Sequence, residues 1–238
     1  VIRALLLDPE ARDPAQFSVV GHGLVREPYT RYVALARALE AAPADLASSG
    51  GRYRGFSSLD SDFLQRPLSA PSVFNFYSPS YQSPGPLRDA GLVSPELQIT
   101  NSVSSITTPN RFSSALAVTS TFNLAANSGW TQFNPTSQSD PVVTTAGNGS
   151  TWNTRANEAA WLPLATNDPE GLVSALDLAL CYGRMSPATF RAVTRAVRRL
   201  DDPLASGLTT TVRDQRALTR FRVAAHLVAL SADSAILK

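Results

Sequence analysis

Between Arg66 and Gln98 the chain reads RPLSAPSVFNFYSPSYQSPGPLRDAGLVSPELQ, and Pro67, Pro71, Pro79, Pro84 and Pro86 punctuate it throughout. Each proline ring fixes φ, removes an amide donor and pushes its predecessor out of the helical region. A long helix or a central strand is therefore excluded here. Yet Val73, Phe74, Phe76, Tyr77 and Tyr81 make the stretch too apolar for a solvated linker. The segment is expected to be an ordered, irregular connection, fastened by its aromatics across a body built from the rest of the chain.

That body reads as helical. Glu27-Pro28 opens a helix in which Tyr32, Leu35, Ala36 and Leu39 recur at helical spacing. Ser94-Pro95-Glu96, Asp168-Pro169-Glu170 and Ser186-Pro187 each place a capping side chain before a proline suited to the first helical position. The first of these should lead to Leu97, Val103 and Ile106 on one face, with Pro109 interrupting or restarting the helix before Phe112 and Leu116. After Ser186, Phe190, Val193, Val197 and Leu200 face inward while Arg191, Arg195, Arg198 and Arg199 face water. A last helix, from about Val212 to Leu230, presents Leu218, Phe221, Ala225 and Val228. The expected class is mainly α: an irregular helical bundle with long ordered Pro-rich and Ser/Thr/Asn-rich loops and room for one small β-hairpin.

Residues from about Thr119 to Asn157 depart from this pattern. They are rich in Ser, Thr, Asn and Gly and nearly uncharged, a composition suited to turns and short strands. Trp130, Phe133 and Trp152 stand among them, which argues for an ordered excursion rather than a solvated tail. Amphipathic aromatics amid small polar residues suit recognition loops, so these three are the candidate partner-contact residues.

Composition excludes several classes. No apolar run approaches the length of a membrane span, and the net charge of +2 is too small to argue for nucleic acid. Cys181 is the only cysteine, so neither an intrachain disulfide nor a cysteine-based metal cluster can form within the chain. In its apolar helical setting it reads as an inert buried thiol. His22 lies between two glycines and reads as a turn residue; His226 lies beside core positions of the last helix. Neither has a second ligand at helical spacing, and no Walker loop, GxSxG or GxGxxG is present. No cofactor or metal is expected. Arg26 is the residue that invites explanation, because a cation directly before a helix start opposes that helix's dipole. It is the candidate anion or ion-pair residue, suited to a core carboxylate or to an anionic group on a partner.

Several ordered motifs also carry a resemblance. VIRALLLDPEARD at the start, LVREPYTRYVALARAL with Arg26, Glu27 and Pro28, the words PSVFNFYSPSYQSPG and AGLVSPELQ, LDLALCYGRMSPATFRAVTRAV (Leu176 to Val197) and FRVAAHLVALSAD together resemble the bacterial domain-of-unknown-function family numbered 1800. The resemblance implies a mostly helical fold. It also implies an exported protein, often encoded beside a second uncharacterised family, numbered 1501, that looks distantly like the alkaline phosphatase and sulfatase group. Val1 enters directly what reads as the end of a helix, so residues 1–238 are expected to be one domain, the C-terminal part of a longer precursor.

The expected function is a non-catalytic protein-binding or accessory subunit of a cell-envelope or extracellular assembly, with the neighbouring family numbered 1501 as one candidate partner. The rival is part of a hydrolytic enzyme whose catalytic residues lie in an N-terminal half, with Arg26 contributing a wall of the site.

Overall fold

Helix α10 (Thr210–Leu230) is the element against which the neighbouring C-terminal helices pack, and Ala217, Phe221, Ala224 and Val228 recur along it at helical spacing. The structure, a computed structural model, describes residues 1–19, 21–43, 59–116, 154–200 and 210–237. Phe221, Ala224, Ala225 and Val228 on α10 are buried, and the alanines allow neighbouring helices to approach closely. Against α10 pack α7 (Glu158–Asn167), α8 (Pro169–Cys181) and α9 (Pro187–Arg198). Asp168 caps α8 by accepting from the Gly171 amide at 2.9 Å, and Ser186 caps α9 by accepting from the Thr189 amide at 3.2 Å. Both starts are those expected from the sequence. Tyr182 and Gly183, both at positive φ, then turn the chain out of α8, with the Gly183 amide donating back to the Asp177 carbonyl.

The N-terminal part adds α1 (Ile2–Leu6), α2 (Pro9–Arg12), β1 (Leu24–Val25), α3 (Pro28–Ala38), β2 (Ala42–Pro43), α4 (Asp60–Phe63), α5 (Pro86–Asp89) and α6 (Ser104–Ala115). Tyr32 on α3, Phe63 on α4 and Phe112 on α6 form a buried aromatic triangle, with ring centroids 5.2, 5.6 and 6.0 Å apart. Each such ring, fully buried, contributes roughly 1.5–3 kcal/mol. Edge-on contact adds roughly 0.5–1.5 kcal/mol per pair. Trp161 on α7 stacks on Phe221 with centroids 5.5 Å apart and joins the same apolar cluster.

The mainly helical class expected from the sequence is the observed one. Strand content among the described residues is two short antiparallel pairs, each joining distant segments. β1 pairs with β4 (Ile236–Leu237), which follows α11 (Ala232–Ala235), in the register Leu24↔Leu237 and Val25↔Ile236. β2 pairs with β3 (Thr154–Arg155) through Ala42↔Arg155 and Pro43↔Thr154.

Three local expectations are corrected. Ser94-Pro95 starts only a 3-10 turn (Pro95–Ile99), and the Ser94 side chain makes no cap. The true start of α6 comes later, where Asn101 Oδ1 accepts from the amides of Val103 at 2.9 Å and Ser104 at 3.0 Å. Pro109 lies inside α6 without breaking it. The carbonyl it deprives of a donor is that of Ser105, an exposed residue that water can serve. Helix α7 is absent from the sequence reading, and it too runs through a proline, Pro163. The excursion expected between about Thr119 and Asn157 lies almost wholly outside the described residues.

Candidate functional site

Arg26, Glu27 and Pro28 sit where β1 passes into α3, and the three residues face different tasks. The Arg26 amide donates to the Ala235 carbonyl at 2.7 Å, extending the β1–β4 pairing by one bond. The side chain is buried at 7% exposure, and its Nη1 donates to the carbonyls of Leu180 and Ser234, each at 3.3 Å. Leu180 lies in the last turn of α8 and Ser234 in α11, so both acceptors are carbonyls near a helix end. Arg31, one turn into α3, repeats the arrangement: its Nη2 donates to the Ala229 carbonyl in the last turn of α10 at 2.6 Å, with the guanidinium 5.7 Å from the Phe112 ring centre. Two guanidiniums from the start of one helix therefore close the carboxyl ends of three others, where a cation meets the negative pole of each dipole.

This differs from the expected ion pair. Among the described residues no carboxylate lies within ion-pair distance of Arg26. Carbonyl dipoles take that place, and the burial is felt next door. Desolvation first, and the neighbouring Arg26 charge second, pull Arg31 down to about 10, which leaves it protonated at neutral pH.

Glu27 turns the other way. Its Oε1 accepts from the Tyr77 hydroxyl at 2.5 Å, and its Oε2 accepts from the Gln65 amide. Gln65 in turn accepts from the Tyr29 amide at 3.2 Å, one of the donors left open in the first turn of α3. The carboxylate itself sits at the positive end of α3, where its charge is favoured. Burial first, and the hydrogen bond to Glu27 second, push the Tyr77 phenol up to about 12, so it remains a donor.

The Pro-rich segment is thus fastened by a hydrogen bond as well as by apolar pegs, Tyr81 being half-buried too. Phe76 and Tyr77 are half-buried, as a peg should be, but Val73 is 93% and Phe74 60% exposed. These two form the tip of a tight turn. The Asn75 amide donates to the Ser72 carbonyl at 3.2 Å, and the Phe74 amide donates to Ser72 Oγ at 3.1 Å. Asn75 adopts φ 68°, a left-handed conformation that asparagine tolerates. Its side-chain amide then donates to the Tyr77 hydroxyl at 3.3 Å, and Gln98 Oε1 accepts from the Ser78 amide at 2.6 Å. Leu68, fully exposed, belongs to the preceding turn.

The remaining candidates stand apart. His22 occupies a turn, its amide donating to the Val19 carbonyl at 3.3 Å. Gly21 beside it adopts a positive φ of 84°, a conformation that side chains rarely tolerate, and a Cβ there would press on the Leu92 side chain at 2.9 Å. His226 is half-buried on α10, and burial lowers its pKa. Cys181 is buried, and desolvation with the nearby carboxylates of Asp177 and Asp233 raises its thiol to about 11. It lines a cleft of about 220 Å³ with Tyr182, Arg184, Ala232, Asp233 and Ile236, but a thiol so protonated is a poor nucleophile. No hydrogen bond or ion pair among the described residues joins Arg26, His22 and His226. Among those residues, no group of three or more His, Cys, Asp and Glu could hold a metal ion, and no helix is long and apolar enough to cross a membrane. Trp130, Phe133 and Trp152 lie outside the described residues. Sequence reasoning missed Gln65 and Arg31 as partners in this knot, and missed that Val73 and Phe74 point outward.

No curated protein and no solved structure matches the chain. The family model described as a protein of unknown function, DUF1800, matches residues 1–233, which includes the Arg26-Glu27-Pro28 segment, the Val73–Phe74 turn and the GRMSP turn after α8. On that match the chain belongs to the DUF1800 family.

Proposed function

We propose that this chain is a non-catalytic, protein-binding accessory subunit of an exported bacterial assembly at the cell envelope or outside the cell. The observation that supports the reading is the turn from Ser72 to Asn75. It exposes Val73 and Phe74 on a hydrogen-bonded backbone that is tied through Tyr77 to Glu27. Burying two such side chains in a partner yields roughly 1.5–3 kcal/mol each when complete. Because the turn is already ordered, little of that gain is lost to fixing it on binding. The envelope location rests on the family resemblance alone. The rival hydrolytic reading would draw on Arg26, and that guanidinium is committed to helix-end carbonyls.

The test is site-specific photocrosslinking in the producing cells, with a benzoyl-phenylalanine at position 74 of the full-length protein and, as control, at exposed position 110. Adducts to another polypeptide from position 74, absent from position 110 and lost with Val73→Asp, are expected. Equal adducts from both positions, or none from position 74, would overturn the proposal.

A further inference from the structure

We propose that the groove between α8 and α9 binds an extended acidic segment of a protein partner, one with carboxylates at alternate residues. Arg191, Arg195, Arg198 and Arg199 all line it and all are exposed. Arg191, Arg195 and Arg199 follow at four-residue steps, which places them about 6 Å apart along one helix face. Alternate side chains of an extended strand recur at about 6.6 Å on one side. An Asp/Glu-x-Asp/Glu-x-Asp/Glu stretch therefore meets three guanidiniums in register.

The groove already shows what chemistry it takes. Glu170, from the first turn of α8, holds Arg198 at 2.5 Å although both side chains are more than half exposed. The other lining carboxylate, Asp168, is occupied as the α8 cap. Among the described residues, Arg191, Arg195 and Arg199 have no carboxylate partner. The volume is about 500 Å³, enough for several side chains, and it continues past Phe190 along the start of α8. Half-buried Phe190 supplies an apolar and aromatic surface between the charges. Thr194, 6% exposed, lines the same wall, and its hydroxyl has no hydrogen-bond partner among the described residues.

Other anionic macromolecules fit less well. A bilayer presents mobile headgroups with no fixed spacing to match a row of guanidiniums about 6 Å apart. A nucleic acid would carry phosphates at every step past the Glu170 carboxylate, and the chain's net charge of +2 supplies no wider field to offset that.

This inference deepens the protein-binding reading by naming the chemistry of a partner segment, and rests on it. The groove shares no residue with the Val73–Phe74 turn, so the two can fail separately. The probe is a fluorescein-labelled peptide of four Glu-Thr repeats, read by anisotropy with the full chain at low and at physiological salt. Comparison probes are a peptide of four Lys-Thr repeats, a block peptide with four glutamates followed by four threonines, a 20-base-pair duplex and phosphatidylglycerol vesicles. The alternating Glu-Thr peptide should bind best and lose affinity with salt. Arg191→Glu and Arg195→Glu should each weaken it about fivefold or more, since each reversal replaces an attraction by a repulsion. Glu170→Gln, which frees Arg198, should tighten it about twofold or more. Phe74→Asp should change nothing here, and circular dichroism should show every variant folded. Absence of binding, indifference to Arg195→Glu in a folded variant, or tighter binding of duplex or vesicles would overturn the inference. The turn's cross-links would remain a separate test of the broader reading.

Discussion

Replacing Tyr77 by phenylalanine keeps the ring and removes only the hydroxyl that Glu27 accepts at 2.5 Å. A hydrogen bond to a charged group contributes about 1.5–3 kcal/mol. Tyr77 is half-buried, so water replaces part of the loss, and the expected cost is about 1–2 kcal/mol. For a chain of this size that corresponds to a fall in Tm of about 2–8 °C. Glu27→Gln should cost at least as much, because it also removes a carboxylate from the positive end of α3, about 0.3–1 kcal/mol. Since the two groups touch, the double variant should be less destabilised than the sum, with a coupling of about 1 kcal/mol in urea titrations. The pH dependence adds a second reading. The Tyr77 phenol is raised from 10.0 to about 12, so its protonated form is favoured in the folded protein. Its contribution is complete below pH 10 and is lost as pH rises towards 12, so the gap between wild type and Tyr77→Phe should narrow across that window. A Tyr77→Phe protein as stable as wild type, or a coupling near zero, would refute the clamp.

Phe221→Ala removes a fully buried ring stacked on Trp161 and should cost about 3–5 kcal/mol in urea unfolding; a cost below about 1 kcal/mol would contradict the placement of α10 at the centre. Burial lowers the folded pKa of His226 below its usual 6.5, so its contribution is present above that pH and lost as pH falls. Between pH 7 and pH 5 wild type should lose stability faster than His226→Leu, and parallel profiles would count against a buried neutral imidazole. Cys181, with its thiol raised to about 11, should react with a disulfide reagent at pH 8 about 100-fold more slowly in the native protein than after unfolding. Equal rates would show the thiol to be accessible and ionised.

Much of the helical body was legible because its signals are local. The caps of α8 and α9 are Asp and Ser before proline, and the apolar faces of α9 and α10 repeat at the helical period. The misreadings have local causes too. Ser94-Pro95 has the composition of a helix start, but the chain reaches α6 only after Asn101 supplies the working cap. In α7, Pro163 and a neighbouring polar stretch hid a helix whose Trp161 is part of the core. The site was harder still. Arg26 could be singled out for opposing its own helix dipole, but a carbonyl at the end of a distant helix leaves no residue-type trace, so its acceptors could not be named. Phe74 and Phe76 are the same residue two positions apart, and only the turn closed by Ser72 and Asn75 decides which points outward.

Amide hydrogen exchange across residues 66–98, resolved by residue, tests most directly whether the proline-punctuated segment is held against the helices. In wild type the amides of Asn75, Ser78 and Ser94, which donate to Ser72, Gln98 and Tyr81, should exchange much more slowly than an unstructured chain. Tyr77→Phe should release Asn75 and Ser78 while leaving α8, α9 and α10 unchanged. Free exchange at Asn75 and Ser78 in the wild-type protein would contradict the clamp, and the preorganised contact turn along with it.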